Sequence, residues 1–243
     1  MCEMCRRNSL ARFEPSRRGV LSGAVWTMGL LLASAAGAKE MKAPPKPQNV
    51  LTPAASLERL QKGNARYVEG VSLRHDFKHE REALTGGQNP YAAVLSCADS
   101  RIAPEYAFDS GRGDLFVCRV AGNFANNESV ASLEYAVAEL GTPLILVLGH
   151  DACGAVSATI KSLKDNTTLP GHLSSLVEGI APAVKAVSGQ NGDTLANAIR
   201  QNVIDNVGKL SSATPILSAA VEQNKLKVVG GIYRLKDGRV EMV

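Results

Sequence analysis

The sequence predicts an α/β protein built on a mostly parallel central sheet with helices on both faces. Three observations carry this. Residues 91–96 and 143–149 are short, continuous apolar runs, the pattern of strands buried on both faces. Segments with helical apolar spacing lie between such runs, so strand and helix alternate along the chain. Polar motifs that can carry chemistry stand directly after both runs, where open parallel sheets place their ligands.

Not all 243 residues belong to that fold. The chain is basic up to Arg18 and then apolar from Val20 to about Ala38, ending in the small-residue pattern Ala36-Gly37-Ala38. Ser16-Arg17-Arg18-Gly19-Val20-Leu21 places twin arginines immediately before the apolar stretch. Residues 1–38 therefore read as a twin-arginine signal peptide that is cleaved, which leaves about 205 residues and no stable membrane span. The expected destination is the periplasm or an equivalent exported space. The same 38 residues hold five Arg and two Glu, so the net charge of +4 falls to +1 once they are removed. The basic balance thus belongs to the targeting segment, and nucleic acid is not an expected partner. Residues 39–53, rich in Pro and Lys, read as an extended linker, and 54–243 as one domain of sufficient length for a sizeable core.

Within that domain, Thr52-Pro53 can start a helix striped by Leu57, Leu60 and Tyr67. Gly86-Gly87-Gln88-Asn89-Pro90 breaks the chain before the strand at 91–96, and 114–120 reads as the next strand. Asn127 can cap a helix with Val130, Leu133, Val137 and Leu140 on one face, ended by Gly141. The strand at 143–149 follows, then helices near 174–187 and 194–210, a late strand at 227–233, an Asp237-Gly238 turn and a short edge strand to Val243.

The first motif is Cys97-Ala98-Asp99-Ser100-Arg101, after the strand at 91–96; the second is His150-Asp151-Ala152-Cys153, after the strand at 143–149. Both fall at strand carboxyl ends and can converge. Two thiolates and one imidazole suit Zn2+, and three protein ligands leave the open fourth position of a catalytic site. A carboxylate two residues from a metal thiolate has a partner in Arg101, which can hold Asp99 through a bidentate pair. Cys2 and Cys5 lie in the targeting segment; the remaining three, Cys97, Cys118 and Cys153, are an odd number and argue against a disulfide framework.

These two motifs, with Gly63-Asn64-Ala65-Arg66-Tyr67, Arg119-Val120-Ala121-Gly122-Asn123 and Ser132-Leu133-Glu134-Tyr135-Ala136-Val137, resemble the beta class of carbonic anhydrases over roughly residues 56–240. The resemblance implies zinc on Cys97, His150 and Cys153, an Asp99–Arg101 dyad beside it, and reversible hydration of carbon dioxide to bicarbonate. It also implies a substrate pocket lined by Gln88, Phe116 and Tyr135, the tyrosine reaching in from a partner subunit, and hence a homodimer or higher homo-oligomer. In that family the Asp either pairs with its Arg or swings onto the metal. Members that shut the site carry a Trp where this chain has Val94, so the open arrangement is expected here, although Arg119 keeps the basic partner of their bicarbonate pocket.

The chemistry follows from residue types. Zinc makes hydroxide available near neutral pH, an effect for which carbonic anhydrase with three His ligands is the standard example. Two thiolates donate more charge than imidazoles, so hydroxide forms less readily than in that example. Asp99 can accept the hydroxide's hydrogen bond and aim its lone pair at carbon dioxide. Gln88 can hold a substrate oxygen, and Phe116 with Ala121 supplies an apolar wall for an uncharged linear molecule. His75 and His79 are proton-shuttle candidates by residue type only. Three other readings fit parts of the pattern. A hydrolase of carbonyl sulfide or carbon disulfide would share the ligands, a zinc store would have no use for the dyad, and a thiol redox protein would want a local Cys-x-x-Cys pair.

Overall fold

The computed structural model describes residues 50–243; the expected signal peptide and most of the expected linker lie outside them. Helix α1 (Pro53–Val68) starts as its sequence predicts. Thr52 Oγ1 accepts from the Ala55 N–H at 3.2 Å, and Pro53 occupies the first turn. A short helix α2 (Phe77–Ala83) and a 3₁₀ turn (Leu84–Gly86) lead into β1 (Ala92–Ser96). Then come α3 (Pro104–Ala107), β2 (Leu115–Arg119), α4 (Asn127–Ala138), β3 (Leu144–His150) and α5 (Gly154–Lys164). Helices α6 (Leu173–Ala186), α7 (Thr194–Ser211) and α8 (Ile216–Glu222) precede β4 (Lys227–Tyr233) and β5 (Val240–Met242).

The five strands form one sheet in the order β2-β1-β3-β4-β5. The first four are parallel, and β5 returns antiparallel along β4 through the turn at Gly238. This is the mostly parallel, helix-covered architecture that the apolar runs predict. Every residue of β1 and β3 is buried, and alternate side chains feed two cores. Ala93, Leu95, Ile145 and Val147 pack with Val156 of α5, Ile180 of α6 and Val203 of α7. Ala92, Val94, Leu144, Leu146 and Leu148 pack with Leu60 of α1 and Ile102. With both faces covered, neither strand has a place for polar alternation. Among the described residues no helix is long and apolar enough to cross a membrane.

Three local readings are corrected. The cap of α4 is Asn126, one residue earlier than expected: its Oδ1 accepts from the Ser129 N–H at 2.9 Å. That helix closes at Ala138, so Leu140 lies beyond it. His150 is the last residue of β3 and does not follow it. Helices α2, α3, α5 and α8 were not foreseen.

The segment Gly63-Asn64-Ala65-Arg66-Tyr67 docks α1 onto the sheet. Asn64 Nδ2 donates to the carbonyls of Ala107 and Gly238, at 2.9 and 2.8 Å, and its Oδ1 accepts from the Val240 N–H at 2.9 Å. Arg66 Nε donates to Asp109 at 2.5 Å, and the hydroxyls of Tyr67 and Tyr233 lie 3.0 Å apart. Gly63 permits the approach: a Cβ there would sit 1.9 Å from the Phe108 carbonyl oxygen. Backbone cannot step aside as a side chain can, so Gly63→Ala is expected to cost about 1–3 kcal/mol of stability, read as a lower urea midpoint.

Candidate metal centre

Neighbouring parallel strands bring their carboxyl ends to one edge, and β1 and β3 pair in register with Ser96 opposite Leu148. Cys97 leaves β1 at that edge and His150 ends β3 there. Cys153 caps the start of α5, where the positive end of the helix favours a thiolate. Between them Ala152 adopts a left-handed conformation, φ +50°. Such backbone costs energy for a residue with a Cβ, and here it turns Cys153 back toward His150. The ligand atoms of Cys97, His150 and Cys153 all lie within 4.8 Å of one another, and all three residues are buried.

The imidazole shows what the cluster is prepared for. His150 Nδ1 lies 2.8 Å from the Asp151 carbonyl oxygen. A carbonyl only accepts, so Nδ1 carries the proton and Nε2 presents a lone pair. Nε2 is buried and has no hydrogen-bond partner among the described residues. An orphaned buried acceptor facing two buried sulfurs is costly unless something binds it; a thiophilic cation that also takes imidazole fits. The two sulfurs meanwhile affect each other's hold on a proton. The hydrogen bond from Cys153 holds Cys97 down to about 4, and the same contact with Cys97, together with burial, pushes Cys153 up. A metal taking both sulfurs must displace that proton.

Beside the cluster Asp99 is gripped by Arg101. Nε and one terminal guanidinium nitrogen of Arg101 donate to the two carboxylate oxygens at 2.9 and 2.7 Å, and the Arg101 backbone N–H donates at 2.9 Å. The Arg101 guanidinium holds the Asp99 carboxyl far below the usual carboxylate range, against a smaller opposing effect of burial. Asp99 Oδ2 nevertheless lies 3.9 Å from His150 Nε2. The carboxylate therefore faces the cluster while paired away from it, which is the open arrangement.

Arg119 does something the sequence did not disclose. Its guanidinium donates to the carbonyl oxygens of Cys97, Asp99 and Ile102, at 3.0, 2.7 and 2.8 Å. One side chain thus shapes the loop that carries a ligand and the dyad together. The Gly122 N–H donates to Cys97 Sγ at 3.3 Å, which brings Ala121, the residue before it, alongside the cluster.

The other expected pocket residues are not gathered there by a single chain. Phe116 pairs with Ala93, three positions before Ser96, which is roughly 10 Å back along the strand at about 3.3 Å per residue. Tyr135 on α4 packs against Phe116, ring centroids 6.4 Å apart, and is 51 % exposed. Gln88 is exposed in the loop before β1, at the end of that strand opposite Cys97. His75 and His79 are engaged elsewhere, His75 with Glu80 at 3.1 Å and His79 with Asp76 at 2.5 Å. Cys118, on β2, is not among the clustered ligands, and burial pushes its thiol up.

A family model described as carbonic anhydrase matches residues 92–240. A carbonic anhydrase of Mycolicibacterium smegmatis is 39 % identical over 191 residues, covering 78 % of this chain and 93 % of the relative. Carbonic anhydrase 2 of Mycobacterium tuberculosis is 38 % identical over 189 residues, covering 77 % and 91 %. Among solved structures, the beta-carbonic anhydrase CcaA superposes with a TM-score of 0.61 at 28 % identity, over 78 % of this chain and 92 % of that one. A tetrameric beta-carbonic anhydrase of Sordaria macrospora gives a TM-score of 0.62 at 24 % identity, over 78 % and 94 %, a likeness of fold.

Proposed function

The chain belongs to the carbonic anhydrase family, in its beta class, and from that membership we propose that Cys97, His150 and Cys153 hold the zinc ion with which it works. It is a carbonate dehydratase, interconverting carbon dioxide and bicarbonate. One observation carries the metal assignment: the buried Nε2 of His150, without a hydrogen-bond partner among the described residues, faces two buried sulfurs, with an ionised carboxylate just outside. When bound, zinc supplies the Lewis acidity that makes hydroxide available near neutral pH.

The chain's own residues do the rest. Asp99, kept ionised by Arg101, can only accept a hydrogen bond. With zinc held by Cys97, His150 and Cys153, it would accept the O–H of a hydroxide there and so would orient that oxygen's lone pair toward carbon dioxide. In the reverse direction the same carboxylate accepts the hydroxyl of bicarbonate, selecting the protonated oxygen as the one to be removed. Hydration consumes water and releases bicarbonate and one proton, and that proton passes to solvent. Ala121 supplies apolar wall beside Cys97 for an uncharged substrate. Metal analysis with stopped-flow carbon dioxide hydration tests the reading: about one zinc per chain and metal-dependent turnover are expected, and a metal-free active protein overturns it.

Gln88, Phe116 and Tyr135 serve, in this reading, the site of a second subunit. Their distance from their own cluster, the exposure of Tyr135 and the one-sided pairing of edge strand β2 support a homodimer or higher homo-oligomer, since an unpaired edge and exposed aromatics call for cover. Light scattering is expected to give a dimer or larger; a fully active monomer refutes it.

We further propose that the chain is exported by the twin-arginine route and begins, when mature, near Lys39 in the periplasm or an equivalent exported space. Arg17, Arg18, the apolar stretch and Ala36-Gly37-Ala38 support this. Replacing Arg17 and Arg18 together by Lys is expected to trap the protein in the cytoplasm. Unchanged export of that variant, or an intact N-terminus on exported protein, contradicts it.

A further inference from the structure

The loop that hydrogen-bonds the Cys97 sulfur is held in an unusual shape from an unexpected side. Gly122 and Asn123 are both left-handed, at φ +84° and +43°, and a Cβ on Gly122 would meet Ile180 Cδ1 at 2.4 Å. Glycine takes this conformation freely, but Asn123 pays for it and keeps it only where its surroundings hold it there. What holds it there is α7. Its inward face is apolar, with Ala198, Ile199, Val203 and Leu210 buried, yet it also buries two amides one turn apart, Asn202 at 2 % and Asn206 at 6 % exposure. Buried amides are costly unless satisfied. These two are satisfied by the loop, and α7 lies close enough because Gly149 of β3 and Gly230 of β4 leave room for Val203.

The direction of the chain of amides is fixed at both ends. The Ala125 N–H can only donate, so the Asn206 atom 2.7 Å from it is Oδ1. Asn206 Nδ2 is thereby turned toward Asn202, donating to its backbone oxygen at 2.7 Å and lying 3.2 Å from its Oδ1. Asn202 Nδ2 is left to donate to the Gly122 carbonyl at 2.8 Å, which can only accept. Lys209 Nζ, one turn on, donates to the Ala125 carbonyl at 2.5 Å. The helix therefore clamps the loop on either side of Asn123, and the clamped Gly122 presents its N–H to Cys97 Sγ.

We infer that the Asn202–Asn206 amide pair is a positioning device for the metal centre: by orienting Gly122 it places an N–H on the Cys97 sulfur, fixing that ligand and drawing charge from it. The inference rests on the metal reading above. A hydrogen bond to a thiolate weakens its donation to a bound metal, as outer hydrogen bonds tune metal–sulfur centres generally. In a site with two sulfurs this opposes the charge they push onto the metal and preserves its acidity. Asn202→Asp is isosteric and reverses the crucial contact, setting a carboxylate oxygen against the Gly122 carbonyl and driving the loop off Cys97.

The test uses cobalt-loaded and zinc-loaded protein. In Asn202→Asp the thiolate-to-cobalt charge-transfer band is expected to move to lower energy, as the sulfur becomes a stronger donor. Zinc affinity in chelator competition is expected to fall about 10–100-fold, because the displaced loop no longer fixes Cys97 in place and that loss outweighs the stronger donation of its sulfur. Leu217→Ala, a fully buried position on α8, is the control: it should lower thermal stability and leave the band in place. If Asn202→Asp fails to fold, Asn202→Ser retains a donor of shorter reach and should show a smaller shift in the same direction. Failure of the unsubstituted protein to bind cobalt or zinc refutes the metal reading itself. Metal binding by that protein, with an unmoved band and an affinity within twofold in the variants, overturns the positioning role alone.

Discussion

Cys153→Ser is expected to lose zinc, activity and part of its stability together. The substitution barely alters volume at a buried position, so packing is not the cause; a hydroxyl simply does not replace a thiolate on this metal. Loss of groups that only support a ligand already costs about 10–100-fold in affinity or activity, so loss of a ligand should exceed about 100-fold in affinity. Turnover should fall on the order of 1,000-fold or more, since removing a single preorganised electrostatic donor alone costs up to about that much. A ligand present at 100 times its dissociation constant stabilises by about 2.7 kcal/mol, which is roughly 5–10 °C for a chain of this size. Zinc-loaded wild type should therefore unfold that much above the variant, and stripping zinc from the wild type should close the gap. Retention of one zinc per chain and full activity in the variant would remove Cys153 from the ligand set.

Arg101→Met is expected to behave in the opposite way toward metal. Its side chain is about half exposed, so little packing is lost and zinc should remain at about one per chain. Asp99 loses both side-chain hydrogen bonds and stands 3.9 Å from His150 Nε2, free to turn inward. Turnover should drop by about 100-fold, the upper range for a supporting residue, with zinc content unchanged. X-ray absorption should then count an added oxygen ligand that is a carboxylate. In the parent protein, activity against bicarbonate should be hyperbolic, because Asp99 is already held by Arg101. A sigmoidal response, or loss of zinc in Arg101→Met, would contradict this account.

Much of the centre was legible because its ligands follow apolar runs that could only be buried strands. The residues of β1 and β3 admit no solvent face, so what comes immediately after them had to sit at the sheet's carboxyl edge. Helix α5 was legible but unread: Val156, Ile160 and Leu163 make an apolar stripe at helical spacing, but the helix starts directly after Cys153 with no side-chain cap to mark its beginning. The amide pair was missed because Asn202 and Asn206 lie on an otherwise apolar stripe at helical spacing. A polar residue there looks like an interruption until its loop partner, some 80 positions away in sequence, is known. Gln88, Phe116 and Tyr135 were read by likeness alone, and nothing in strand or helix patterning tells which subunit a side chain serves.

The strand order also governs timing. Each central strand pairs with neighbours remote in sequence: Ala93 with Ile145, and Leu144 with Lys227. Contacts of that span close large loops before they are rewarded, which slows folding. A nascent chain that has delivered Cys97 must wait for Cys153 before the ligand set exists, and for residues 227–233 before the edge of β3 is covered. Until then β3, buried along its whole length in the finished fold, stands with one side open.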